Sequence, residues 1–278
     1  MERSGCRIRA FPLSPGSGKV THMLNRRGSK RISRLPGFVL GAALLLCGLS
    51  ATPATGDVKS PLQMLVVTTS GWSSVNAALR LYERKDAQSA WISPGERIPA
   101  VVGRNGLGWG RGVHPDLPAG GPQKREGDGR APAGIFRLGP AFGYAPGESV
   151  PWISLPYRQM TESSKCIDDP TSLVYNRLVD DGNVRQDWNS REEMKRSDGQ
   201  YRLGIVIGHN TDPVAPGGGS CIFLHIWEKP SKGTSGCTAV SDADMEEILR
   251  RLKPEANPLL IQLPQREYER MRAPLGLP

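Results

Sequence analysis

Aromatic side chains are scarce in this chain, 6% of 278 residues, and no apolar stretch is long enough to live in a membrane. The one pronounced run, Phe38–Leu49, has twelve residues, where a spanning helix needs ~20. Helical periodicity never exceeds two turns before residue 190, and no internal repeat emerges, which argues against a helical bundle. The glycine-rich segment 103–143 lacks a following Gly-Lys-Ser/Thr and a strand–loop–helix frame, so a phosphate loop is excluded. Its histidine, His114, has no second ligand at metal spacing and reads as a solvated loop residue. The sequence calls for no metal and no cofactor. Charge is also missing from most of the chain. Residues 1–56 hold nine Lys and Arg against the single Glu2, which leaves a nearly neutral body out of a formal charge of +9. Such a body lacks the clustered cations that phosphate backbones require, which excludes nucleic acid as a partner.

The basic leader has the layout of an export signal. Arg26 to Arg34 form a positive region, Phe38–Leu49 the apolar core, and small residues follow through Gly56. Cleavage is expected within Ala51–Asp57, with translation starting at Met1 or Met23. The mature protein would then occupy the periplasm or cell envelope with no stable membrane span. The expected organisation is a leader over 1–56 and one domain over 57–278.

What the body has in abundance is glycine and proline, 33 and 24 of them, the composition of a turn-rich, mainly β fold. Strands are predicted over 62–69, 77–84, 91–92 and 97–102. Pro132 and Gly134 are expected to set a turn into a strand at 135–138. Residues 144–200, polar and broken by prolines, read as an insertion, with a capping-box pattern at Ser190–Glu193 opening a short helix. Buried strands follow over 201–210 and 222–227. Ser241 caps a helix with Met245, Ile248, Leu249 and Leu252 on one face, and 259–263 is a last strand before a surface-laid tail, 265–278.

Loss of the leader removes Cys6 and Cys47 and leaves three cysteines. In an oxidising compartment an odd count implies one bridge and one free thiol. Cys166 lies in the polar insertion and Cys221 on the apolar run before His225, so these two are expected to pair, closing a loop of about 54 residues worth up to ~4 kcal/mol. Cys237 stays free. It follows a glycine, stands twelve residues after His225, a spacing suited to adjacent antiparallel strands, and precedes the helix by four residues. An imidazole that takes the thiol proton is the usual means of making a cysteine nucleophilic. The helix N-terminus is expected to support the thiolate if it points back at the site. His209 ends the neighbouring strand and is the other candidate base; His225 is favoured by its closeness to Cys237.

Thr234-Ser235-Gly236-Cys237 behind His225 on an apolar strand, in an exported β-rich chain, resembles the bacterial L,D-transpeptidase catalytic (YkuD-type) family. Asp128-Gly129-Arg130-Ala131-Pro132-Ala133-Gly134-Ile135-Phe136 is similar to that family's Thr-Pro-x-Gly-x-Phe segment, and the resemblance covers about 62–265. It implies an L,D-transpeptidase-like β-sandwich with a long polar insertion at 144–200 and a helix after the nucleophile motif. The implied activity is transpeptidation on peptidoglycan stem peptides. Cys237 attacks the carbonyl of a meso-diaminopimelate–D-alanine bond, D-alanine leaves, and an amine resolves the thioester. His225 is base and then acid, backbone N–H groups around Gly236 and Cys237 receive the oxyanion, and Thr234 or Ser235 orients the imidazole. His209, Arg130 and Trp227 are candidate substrate contacts. Water as acceptor would make the enzyme an L,D-carboxypeptidase or endopeptidase, and a silent site would make it a wall-binding protein. Two residues depart from the family pattern, Ile226 after the histidine and Ala239 after the cysteine, and both bear on substrate choice.

Overall fold

The computed structural model describes residues 60–114 and 120–278. The export signal, its cleavage site, Cys6 and Cys47 lie outside the described residues. Those described form, in order, β1 (Gln63–Thr69), β2 (Asn76–Glu83), β3 (Ile98–Val101), β4 (Leu107–Trp109), β5 (Ala131–Gly143), β6 (Tyr157–Gln159), β7 (Ser164–Cys166), β8 (Leu178–Asp180), β9 (Glu192–Glu193), β10 (Leu203–Ile207), β11 (Phe223–Ile226), β12 (Thr238–Val240), α1 (Asp242–Arg251), β13 (Leu259–Pro264) and α2 (Gln265–Arg272). The fold is mainly β, as the composition implies.

The main sheet runs β10-β11-β12-β3-β2-β1-β13-β5-β4, with β6 also on β5. β5 pairs a second time, with β10, so the sheet closes on itself through this one long strand. Its first half lies against β13 and its second half against β10. Pro132 and Gly134 therefore sit inside a strand, not in a turn before one. Gly134 pairs with Gln262, at a φ of +143°, and a Cβ there would come within 2.4 Å of the His114 ring. His114 accordingly packs edge-on to Phe136, ring centroids 6.1 Å apart, and is not the solvated residue its glycine-rich surroundings suggest. The predicted strand at Trp91-Ile92 shrinks to one bridge, Glu83 to Ile92.

The core is built from the continuous apolar face of β1, β10, β11 and β13, where Leu65, Ile205, Leu224 and Leu260 are fully buried. One polar link crosses it: buried Gln262 accepts from Thr238 Oγ1 at 2.5 Å and donates to the Pro132 carbonyl at 2.8 Å, joining β12, β13 and β5. A buried amide satisfied on both ends fixes register at little cost.

Two helical expectations behave differently. α1 forms as read: Ser241 Oγ accepts from the Asp244 N–H at 3.1 Å, and Met245, Ile248 and Leu249 are buried, with the helix packed on β10 and β11. The capping-box pattern at 190–193 does not start a helix. Glu192 and Glu193 form β9, pairing with Cys166 and Lys165 of β7, and Lys165 Nζ holds Glu193 at 2.6 Å. An isolated turn of helix is costly to nucleate, and strand pairing, with an ion pair from the buried Lys165, wins. Within 144–200, β6 joins the main sheet on β5, while β7, β8 and β9 form a small sheet of their own, β8-β7-β9, over a cluster of Ile167, Val179 and Trp188. The tail is not merely laid on the surface: α2 buries Tyr268 and Met271 over β13 and β1. No helix among the described residues is long and apolar enough to cross a membrane.

Candidate active site

β11 and β12 deliver the histidine and the cysteine to one place. They are parallel, with Leu224 opposite Thr238 and His225 opposite Ala239, so the expected antiparallel arrangement is corrected. The loop 227–237 carries the chain back across the strand ends before β12 begins. Alternation along paired strands places Phe223, His225, Cys237 and Ala239 on one face. Two residues of offset and one strand spacing separate the His225 and Cys237 Cα atoms by about 8 Å.

Cys166 and Cys221 are joined by a disulfide, Cα atoms 5.9 Å apart, and among the described residues Cys237 is the free thiol, and it is buried. Its Sγ accepts from the Phe223 N–H at 3.3 Å and lies 3.5 Å from the Cys221 carbonyl. Tyr201 packs in the same buried cluster as the thiol. Burial pushes the thiol up to about 12, against the pull of the Phe223 N–H, Tyr201 and the Lys124 cation. His225 is 3% exposed, and burial pushes it down to about 4. At rest the pair is therefore neutral thiol and neutral imidazole.

The L,D-transpeptidase catalytic domain (YkuD) family matches residues 74–261, from just before β2 into β13. The chain belongs to this family. Searches of curated proteins and of solved structures returned no significant match.

Within this L,D-transpeptidase-family domain the remaining predicted residues divide. Thr234 does not reach the imidazole. Its Oγ1 donates to the Cys237 carbonyl at 2.6 Å and accepts from the Gly236 N–H at 3.1 Å, folding the turn that presents the cysteine. That bond also occupies the Gly236 N–H, which removes it from the expected oxyanion donors. Ser235 is exposed and accepts from Arg104 at 3.2 Å. The group that orients His225 is backbone: Nδ1 bonds the Ile226 carbonyl at 2.8 Å. Gly236 packs closely, since a Cβ there would stand 3.2 Å from the Arg130 carbonyl.

His209 is not a substrate contact. It is 1% exposed, with Nδ1 accepting from the Arg111 N–H at 3.1 Å and Nε2 on the Gly218 carbonyl at 3.0 Å. Both ring nitrogens are satisfied by backbone, and burial holds its pKa down to about 4. Arg130 is likewise structural: one guanidinium nitrogen donates to the carbonyls of Asn105 at 2.7 Å and Leu107 at 2.9 Å. Trp227 is half-buried just past β11, where its backbone N–H bonds the Val240 carbonyl. The N-terminus of α1 is taken by its own Ser241 cap and by Asp242 and Asp244, so it offers the thiolate no free positive end.

Three residues at the site carry no signal as a motif. Tyr201 hid at the front of a strand-forming run, Glu192 in a capping-box pattern, and Lys124 in a charged loop. Lys124 is buried, its Nζ bonding Asp128 at 2.7 Å and the Arg125 carbonyl at 2.5 Å behind Gly236. A tyrosine and two charged residues flanking buried segments were the available clue.

Proposed function

We propose that this domain is an exported cysteine transpeptidase acting on peptidoglycan stem peptides through a Cys237 thioester, one catalytic unit over 57–278 with 144–200 as its insertion. The observation that carries the reading is a free thiol and an imidazole on one face of β11 and β12 inside an L,D-transpeptidase-family fold. Cys237 gives its proton to His225 as Sγ attacks the carbonyl between meso-diaminopimelate and D-alanine. The resulting tetrahedral centre collapses to a thioester while the imidazolium of His225 protonates the departing amine. An incoming amine then loses its proton to His225 and takes the acyl group. Because Cys237 is 7% exposed, the donor reaches it when the insertion moves aside. Incubation with a tetrapeptide stem or a carbapenem, read by intact mass, should give an acyl adduct that Cys237→Ala abolishes. An adduct that persists in that variant overturns the assignment.

A further inference from the structure

Three arginines that take no part in that reaction line a groove on β1, β2 and β3 beside α2. Two adjoining cavities, of about 710 and 300 Å³, share Thr68, Ala78, Arg97 and Gln265 and so form one trough. No residue of β11, β12 or the loop between them lines it. We propose that this groove is a second binding site, for a phosphate monoester held by Arg80, Arg97 and Arg272. It does not rest on the chemistry at Cys237.

Strand register brings two of the arginines together. β2 and β3 pair with Ala78 opposite Pro99 and Leu79 opposite Ile98, so the next position along sets Arg80 opposite Arg97. Alternation turns both to the face of Ala78 and Pro99, with Cβ atoms roughly 5 Å apart. Arg272 reaches the same trough from the end of α2. Like charges set opposite one another destabilise a sheet, and the protein supplies nothing to offset these. Among the described residues, the side chains of Arg80, Arg97 and Arg272 form no ion pair and no hydrogen bond. No Asp or Glu lines either cavity. Arg80 Nε is buried without an acceptor, a state that costs stability until one arrives. Pro278, at the rim, takes the Tyr268 hydroxyl and pairs with none of the three.

Phosphate is the anion that fits. A planar carboxylate has one charge and two oxygens, enough for a single guanidinium fork. A phosphate monoester carries about −1.5 to −2 and three terminal oxygens, so neighbouring forks can share it. Thr68, Ser70 and Asn76 add neutral polar groups, and the small side chains of Ala77 and Ala78 leave the floor open, which gives room for a sugar-sized remainder. α2 opens at Gln265 on the rim with no side-chain cap, its first-turn acid Glu267 is engaged by Arg270, and the N–H groups of a helix start favour the same anion.

The test is calorimetric titration of the full chain at low salt with glucose 6-phosphate and with glycerol 3-phosphate, the latter standing for a lipid headgroup. Wild type should bind at least one of them saturably, with inorganic phosphate competing. Arg80→Gln and Arg97→Gln should each weaken binding by roughly tenfold or more, while Arg266→Gln, on α2 outside the groove, should not change it. Ligand should raise the melting temperature of wild type and of neither groove variant. Tighter binding of glycerol 3-phosphate assigns the site to a headgroup, and tighter binding of glucose 6-phosphate to a free sugar phosphate. No saturable binding of either, affinity unchanged in Arg97→Gln, or citrate bound as tightly as the esters overturns the proposal. Arg97 is exposed, so its variant decides even where Arg80→Gln fails to fold.

Discussion

Replacing Cys166 and Cys221 together with serine removes a crosslink whose ends are 55 residues apart. Closing a loop of that size lowers the entropy of the unfolded chain by ~14 cal/mol/K, or ~4 kcal/mol at 25 °C in the chain-entropy treatment. A body of ~200 residues unfolds with an entropy of ~0.4 kcal/mol/K, so the melting temperature should fall by about 10 °C. The local surroundings give little reason to expect less. Cys166 sits opposite Glu192 between β7 and β9. Cys221 holds a φ of +54°, with its N–H on Asn176 Oδ1 at 2.9 Å, two residues before the Phe223 N–H that reaches Cys237. Asn176 also donates to the His209 and Asn210 carbonyls at 3.0 and 2.7 Å, and these bonds survive the substitution but no longer have the chain pinned behind them. The double variant is the right perturbation because either single one leaves a second thiol beside Cys237. Urea and thermal unfolding of the oxidised wild type and the double variant measure the loss. A destabilisation below ~1 kcal/mol would refute the argument, by showing that the unfolded chain is already held compact without the bridge.

Two further outcomes follow from the same geometry. Thr234→Val removes both bonds of the turn before the nucleophile, and should cost about 2 kcal/mol and slow acylation. Ser235→Ala should stay within ~0.5 kcal/mol of wild type by urea unfolding, and equal effects at the two positions would contradict the assignment. Acid sensitivity should trace to the buried histidines. His209 and His225 titrate near 4 in the fold against ~6.5 unfolded, so below the unfolded value the unfolded chain binds the extra protons. Their contribution is therefore whole above that value, and falls by up to ~3 kcal/mol each as pH drops towards the folded one. Glu192, raised in the fold, works in the opposite sense and softens the loss. His209→Gln should flatten the difference between urea midpoints at neutral and acid pH; an unchanged difference would contradict the shift.

The parts of this fold that could be read from the chain are those whose causes are local. β1, β10, β11 and β13 are continuous apolar runs, and α1 announces itself by the Ser241 cap and by Met245, Ile248 and Leu249 on one face. The count of three cysteines in the body pointed to the pairing of Cys166 with Cys221. What could not be read is decided by remote partners. β5 runs through Pro132, Gly134, Gly139 and Pro140, residues that locally signal a break, because β13, β4, β6 and β10 pair with it along its length. β9 is two residues long and exists only because β7 lies beside it. His209 looked like a site residue because it ends a strand next to His225, and the carbonyl of Gly218, nine residues on, is what takes its second nitrogen.

The neutral resting state of the site explains why the insertion and the nucleophile are built as one object. A thiolate–imidazolium pair buried at this depth would lose more hydration than its mutual attraction returns, so the fold holds the thiol up and the imidazole down and keeps charge away until substrate arrives. Burial and the Glu192 charge raise the thiol. The backbone at its sulfur, the Phe223 N–H and the Cys221 carbonyl, belongs to β11 and the residues just before it, packed against Met160, Cys166 and Met194 of the insertion. The Cys166–Cys221 bridge covalently joins those two sources. The bridge thus pins β7 beside the Cys221 carbonyl that meets the sulfur. On that account the double serine variant should lose acylation rate by more than its loss of stability explains, since at temperatures where it is still fully folded the Cys221 backbone, 3.5 Å from the sulfur, would no longer be tied to β7. Acylation equal to wild type in that folded variant would separate the crosslink from the chemistry and leave it a stabilising staple alone.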